Sequence, residues 1–100
     1  MKISACYIVK DEAEELRHSL SSLAAAVDEI IIVSTAGNME IMKAAHDFHA
    51  DIYPFTWQDD FALARNYALE RASGDIIIFL DADEYFFHPM EIRSAIEEYV

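Results

Sequence analysis

The sequence predicts an open parallel α/β sheet with helices on both faces. Short continuous apolar runs recur along the chain, segments with apolar residues spaced three and four apart lie between them, and only two glycines and two prolines interrupt the whole. Apolar runs without polar alternation suit strands covered on both faces, the condition of parallel sheets. Strands alternating with amphipathic helices imply right-handed crossovers and one open sheet.

The elements follow in order. Ile3 to Val9 (ISACYIV) reads as the first strand, and Ala13, Leu16, Leu20, Leu23 and Val27 mark a helix over Asp11 to Ala26. Glu29 to Val33 (EIIIV) is the second strand. Asn38 is placed to cap a second helix whose inner side carries Ile41, Ala45 and Phe48. Asp51 to Phe55 is a weaker strand, with Pro54 suited to a strand end or edge. Asp59 or Asp60 caps a third helix with Phe61, Ala64 and Ala68 on one stripe and Leu63 and Tyr67 beside it; Gly74 is expected to be its left-handed stop. Asp75 to Leu80 (DIIIFL) is the last strand. Pro89 fits the first turn of a fourth helix with Ile92, Ile96 and Tyr99 inward.

The bulk numbers bound the function. One hundred residues, 54% hydrophobic and 12% aromatic, make one domain or a part of one, and the boundary 1–100 is read as a single, incomplete domain. Nineteen acidic against seven basic residues give a net charge of −12, which repels nucleic acid and anionic membranes unless a cation intervenes. Nucleic acid is therefore not an expected partner. Cys6 is the only cysteine, so neither an intrachain disulfide nor a cysteine zinc site forms; it is expected to be a small buried residue, and a reducing cytoplasm is the expected compartment. The N-terminal MKISACYIVKDE is too short in its apolar part for a signal peptide or a membrane span.

Open parallel sheets bind ligands at the carboxyl ends of their strands. That rim collects Lys10, Asp11 and Glu12 after the first strand, Ser34, Thr35, Gly37 and Asn38 after the second, and Asp81, Asp83 and Glu84 after the last. Asp81 and Asp83 are two apart, so at an extended strand end both side chains point one way, with Ala82 turned away. Two carboxylates of one segment suit Mg²⁺ or Mn²⁺ held together with water and nucleotide phosphates. Such a metal would let an acidic rim accept a diphosphate. The alternative is that these acids are solvated loop residues or caps ahead of the Pro89 helix.

Four segments, SACYIVKDEAEELRHSLSSL, VDEIIIVSTAG, YPFTWQDDFALARNYAL and GDIIIFLDADEYF, together resemble the N-terminal, nucleotide-sugar-binding half of a family 2 glycosyltransferase of the GT-A fold. The resemblance covers about residues 3 to 87. It implies a Rossmann-like sheet of order 3-2-1-4 and a nucleotide-sugar donor held through a divalent metal, with an acceptor hydroxyl attacking the anomeric carbon. It further implies that Val9, Lys10, Asp11 and Glu12 line the base and ribose pocket, that Arg65 lies near the diphosphate, that Asp81 contacts ribose or metal, and that Asp83 is the chief metal ligand.

The chain departs from that pattern in two places. Ser34 stands where the family has an aspartate that accepts a hydrogen bond from the base; its hydroxyl is a weaker, neutral acceptor, and Asp11 is a nearby charge, so both are candidates. The chain also stops after one further helix, before the acceptor-binding half and its general base, and Glu84 lies on the donor side. Donor binding without turnover by this chain alone is the resulting expectation, with a degenerate or truncated module for binding or assembly as the alternative. An edge left open at the fourth strand predicts self-association there.

Other readings fit less well. Haloacid-dehalogenase-like phosphatases also end an apolar strand in D-x-D, but want Thr or Val where Tyr85 stands and more strands afterwards. Phosphoacceptor receiver domains need a later lysine that is missing. His18, His46, His49 and His88 show no metal-ligand spacing, and surface positions are expected. Phe55, Trp57 and Phe61 are expected to pack a loop over the sheet rather than stack a base.

Overall fold

The computed structural model of the chain describes residues 1–57, 59–84 and 88–99, with backbone alone for Tyr99. Strand β1 (Ile3–Val9) leads to helix α1 (Ala13–Leu23), β2 (Glu29–Ser34), α2 (Met39–Asp47), β3 (Asp51–Pro54), α3 (Phe61–Arg71), β4 (Ile76–Leu80) and α4 (Pro89–Tyr99). The strands form one sheet in the order β3-β2-β1-β4, every pair parallel, which is the expected order. Their carboxyl ends therefore share one edge.

Successive residues of β1 and β2 point to opposite faces, and each face has its own helices. Tyr7, Val9, Ile30 and Ile32 pack with Leu16, Leu20 and Leu23 of α1 and Ile41 and Ala45 of α2. Cys6, Ile31 and Val33 pack on the other face with Ala68 of α3 and, partly buried, Tyr53, Phe55 and Tyr67. Burial pushes the Cys6 thiol up to about 11, with the Glu29 charge adding to it, so this cysteine is an inert core residue as its sequence context suggests. The Asn38 side chain accepts the N–H groups of Glu40 and Ile41, and that of Asp60 accepts Ala62 N–H.

Three expectations change. Helix α1 is shorter than the periodic stretch: the Glu12 carboxylate accepts the N–H groups of Lys10 and Asp11, which fixes a turn before the helix, and Ala24–Ala26 tighten into a 3₁₀ turn that leads the chain into β2. Gly74 is not a left-handed stop. Ala72 already leaves α3 in an extended conformation, and Gly74 is required because a Cβ there would collide with Ser4 Oγ and meet backbone Ser4 N at 2.9 Å. Left-handed backbone occurs instead at Gly37, His49 and Asp59, among the described residues. His49 ends α2 in the double hydrogen-bonded pattern of a left-handed helix stop, its N–H reaching His46 O and that of Ala50 reaching Ala45 O.

Third, α3 carries apolar residues all round, yet only Ala64 and Ala68 are buried, while Phe61, Leu63 and Leu69 are exposed. The stripe expected to run through Phe61 is thus wrong at its first member. Ile92 and Ile96 of α4 are half-buried, facing Ile3, Val27 and Ile78; the Tyr99 side chain lies outside the described residues.

Candidate functional site

The ends of β1, β2 and β4 build the rim. Thr35 folds back onto β1, its N–H and hydroxyl both donating to Val9 O, at 2.9 and 3.2 Å. Beside it the Glu12 carboxylate closes the turn after β1. Desolvation works against its charge, but the N–H groups of Lys10, Glu12 and Asp11 and the Lys10 ammonium outweigh it and hold the carboxyl below its ordinary range.

Strand β4 ends at Leu80, where its pairing with Tyr7 ends, and residues 81–84 form a turn rather than an extended tail. Glu84 N–H donates to Asp81 O at 3.0 Å, and the Glu84 carboxylate accepts Asp81 N–H at 2.7 Å. Ala82 is buried in the α1 side of the core while Asp81 and Asp83 are exposed. The expected separation of Ala82 from the two acids is present, but it comes from the turn and not from strand alternation.

Three cavities meet around Ile8 and share their walls. One, of about 300 Å³, is lined by Arg65, Phe61, Phe79, Asp81 and Glu84. A second of about 300 Å³ is lined by Val9, Lys10, Glu12, Thr35, Trp57 and Phe61. The third, about 510 Å³, is lined by Glu12, Glu15, Asp81, Ala82 and Asp83. Asp81 joins the first to the third, and Phe61 joins the first to the second. The Arg65 guanidinium lies 4.4 Å from the centre of the Phe79 ring and makes no ion pair among the described residues. Glu12 joins the second to the third, so the three form one cleft around Ile8 with an acidic side, the Arg65 cation and an aromatic wall beside Lys10.

Of the residues expected at the site, Val9, Lys10, Glu12, Arg65, Asp81 and Asp83 border this cleft. Asp11 is exposed beside it, its N–H held by Glu12. Ser34 lines none of the three cavities: it is 4% exposed, on the face of β2 that carries Ile30 and Ile32, and its hydroxyl has no hydrogen-bond partner. Glu15, Trp57 and Phe61 were not expected at the rim. Glu15 is concealed in the sequence by an acidic helix start, and the two aromatics read as packing residues.

Of the four acids that line the third cavity, the exposed pair Asp81 and Asp83 is a reasonable donor set for a hard cation that keeps water and phosphate ligands. Among the described residues no group of three His, Cys, Asp or Glu side chains forms a ready cage. All four histidines are exposed, as expected. Among the described residues no helix is long and apolar enough to cross a membrane.

Fold and rim define an α/β domain whose strand carboxyl ends open into one cleft with charged and aromatic walls. The chain belongs to the glycosyl transferase family 2, whose pattern it matches over residues 4–99. It is 38% identical over 99 residues to a TPR repeat-containing protein of Synechococcus elongatus, covering 97% of this chain and 25% of that protein. It is 33% identical over 88 residues to the prophage-derived glycosyltransferase SunS of Bacillus subtilis, covering 84% of this chain and 20% of that one. The chain thus spans a quarter or less of these curated relatives. Among solved structures, the mannosyltransferase PcManGT of Pyrobaculum calidifontis, in complex with GDP-Man and Mn²⁺, superposes with a TM-score of 0.78 at 19% identity over 96% of this chain and 31% of that one. Glucosyl-3-phosphoglycerate synthase of Mycobacterium tuberculosis, with Mn²⁺ and UDP-Glc, gives 0.75 at 19% identity over 98% and 39%. These likenesses establish the GT-A fold.

Proposed function

We propose that this chain binds the nucleotide-sugar donor of a glycosyl transfer, with the nucleotide along Val9, Lys10, Glu12, Arg65 and Asp81 and a divalent metal, Mg²⁺ or Mn²⁺, at Asp81 and Asp83. The observation that carries this is the continuity of the cleft: Arg65 and Asp81 line one cavity, and Asp81 and Asp83 line the next. A diphosphate beside Arg65 is therefore within the same groove as two exposed carboxylates. The donor set is all oxygen and leaves room for phosphate and water ligands, which fits either ion. Bound Mn²⁺ in the complexes of the two structural neighbours supports the same choice.

When bound, such a metal supplies charge neutralisation for a departing diphosphate. The protein's own part is to hold that diphosphate. Arg65 presents a fork of donors, pre-aligned by its stacking on Phe79, and Lys10 adds a second positive charge to a rim otherwise lined by Glu12, Glu15, Asp81, Asp83 and Glu84. Glu84 positions the Asp81 backbone and is not assigned as a general base, because its carboxylate is engaged by Asp81 N–H. We assign donor binding in the cytoplasm to this chain, and no acceptor or general base.

The second reading, a module that has lost donor chemistry, is favoured by Ser34 alone, which stands at the expected base contact yet is buried with its hydroxyl unpartnered. Calorimetric titration of UDP and of GDP into the chain, with Mn²⁺ and with chelator, separates the two. Metal-dependent binding of either nucleotide is expected; absence of binding by both overturns the donor reading in favour of the second.

A further inference from the structure

The aromatic wall beside Lys10 in the cleft is unexplained by the fold. Phe55 packs into the α3 side of the core, and Tyr53 and Tyr67 make ring contacts there. Trp57 and Phe61 take no part in that cluster; they are 44% and 51% exposed and meet each other edge to face at 6.5 Å between centroids. Two large side chains that bury only half their area contribute little to stability relative to their size.

The indole is nevertheless held in place. Its Nε1–H donates to Asp59 Oδ1 at 3.2 Å, and Asp59 takes left-handed backbone, φ 53°, immediately before the Asp60 cap of α3. Asp tolerates that conformation better than most residues, and from it the Asp59 carboxylate holds the indole. Facing this wall are Ile8, the Lys10 side chain and Thr35, whose hydroxyl proton is directed to Val9 O, leaving its oxygen able to accept. An apolar platform with a few polar groups at its margin suits a flat ring with polar edges.

We propose that Trp57, braced by Phe61 and Asp59, is the stacking platform for the nucleobase of the donor. The proposal rests on the donor-site reading above and assigns the nucleobase its wall of the cleft. Phe61 borders both this cavity and the one holding Arg65, and Asp81 borders both the latter and the one holding Asp83. Glu12 borders both the Trp57 cavity and the one holding Asp83, so a base on Trp57 adjoins the cavity proposed for the diphosphate, at Arg65, and the one proposed for the metal, at Asp81 and Asp83. Stacking uses the π-face common to all bases, so the platform supplies affinity without choosing among them.

Trp57 is the only tryptophan, so its emission reports on this wall alone. UDP, GDP, pyrophosphate and glucose 1-phosphate are titrated into the chain with Mg²⁺, following Trp57 emission and, in parallel, heat. Expected are saturable quenching by the nucleotides and little change with pyrophosphate or the sugar phosphate. Calorimetry on Trp57→Ala is expected to show nucleotide affinity weakened about tenfold or more, with Trp57→Phe keeping most of it and circular dichroism unchanged. Nucleotide binding that is equally tight in Trp57→Ala overturns the platform and leaves the donor site standing. A loss confined to glucose 1-phosphate also overturns it, by placing the sugar there. No binding of UDP or GDP by the unsubstituted chain overturns the donor reading and the platform with it.

Discussion

The Glu84 carboxylate accepts the backbone N–H of Asp81 at 2.7 Å, within a turn that buries Ala82 and exposes Asp83. Through this bond an acid that makes no proposed contact with metal orients the two that do. Glu84→Ala is expected to weaken metal-dependent nucleotide binding by roughly tenfold, the worth of one hydrogen bond to a charged group. Glu84→Gln, which keeps an acceptor, recovers most of it. Calorimetry on both variants is the check, and equal losses in the two would show that charge rather than the turn is at issue.

Arg65→Ala is expected to lower UDP or GDP affinity by about tenfold or more, the loss of charge-assisted bonds to phosphate. Arg65→Lys should restore only part, since an ammonium neither forks onto two oxygens nor stacks as flatly on Phe79. Affinities for free pyrophosphate should follow the same ranking, which ties Arg65 to the phosphates.

Gly74→Ala places a methyl group against Ser4, with backbone Ser4 N at 2.9 Å, closer than real Cβ atoms come, and Lys2 O tight at 3.0 Å. The backbone must shift, at a cost of about 1–3 kcal/mol, and Tm should fall by roughly 5–15 °C. A Tm within experimental error of the unsubstituted chain would remove the close approach as the reason for glycine.

At the opposite rim of the sheet, desolvation works against the charge of Glu29, but Ser73 N–H, the Ser4 and Ser73 hydroxyls and the Lys2 ammonium outweigh it and hold its pKa below the ordinary 4.5. A carboxyl depressed in the folded state contributes stability that is present above its unfolded pKa and lost as pH falls through the folded value. Urea midpoints should therefore drop on acidification below about 4.5, and Glu29→Gln should be less stable at neutral pH with a shallower acid limb. An acid limb of unchanged steepness in the variant would exclude Glu29 as a contributor.

Strand β4 is an edge whose Ile76, Ile77, Ile78 and Phe79 are only half-buried, whereas the other edge, β3, is short and ends in Pro54. We expect self-association through β4, strengthened by salt that screens the −12 net charge. A clean monomer by light scattering at high micromolar concentration and high salt would contradict it.

Strand order, a helix cap at Asn38 and another at Asp59 or Asp60, and the gathering of Lys10, Glu12, Asp81 and Asp83 on one rim were legible because periodicity, cap chemistry and parallel topology are local or general rules; the structure selects Asp60. What was not legible depended on tertiary neighbours. A glycine after a helix reads equally as a left-handed stop or as a close approach, and only the position of Ser4 decides for Gly74. The apolar residues of α3 mark no single face, so the exposure of Phe61 could not be read from spacing. The turn at Asp81 replaced a strand end because Glu84 reaches back to Asp81 N–H, a contact that D-x-D spacing does not encode.

The central claim is a metal-assisted nucleotide site at Asp83, and the most direct measurement is calorimetric titration of UDP and GDP with Mn²⁺ into the chain beside Asp83→Ala. Expected is binding that needs the metal and is lost in the variant; binding that is equal in both, or independent of Mn²⁺, would contradict it.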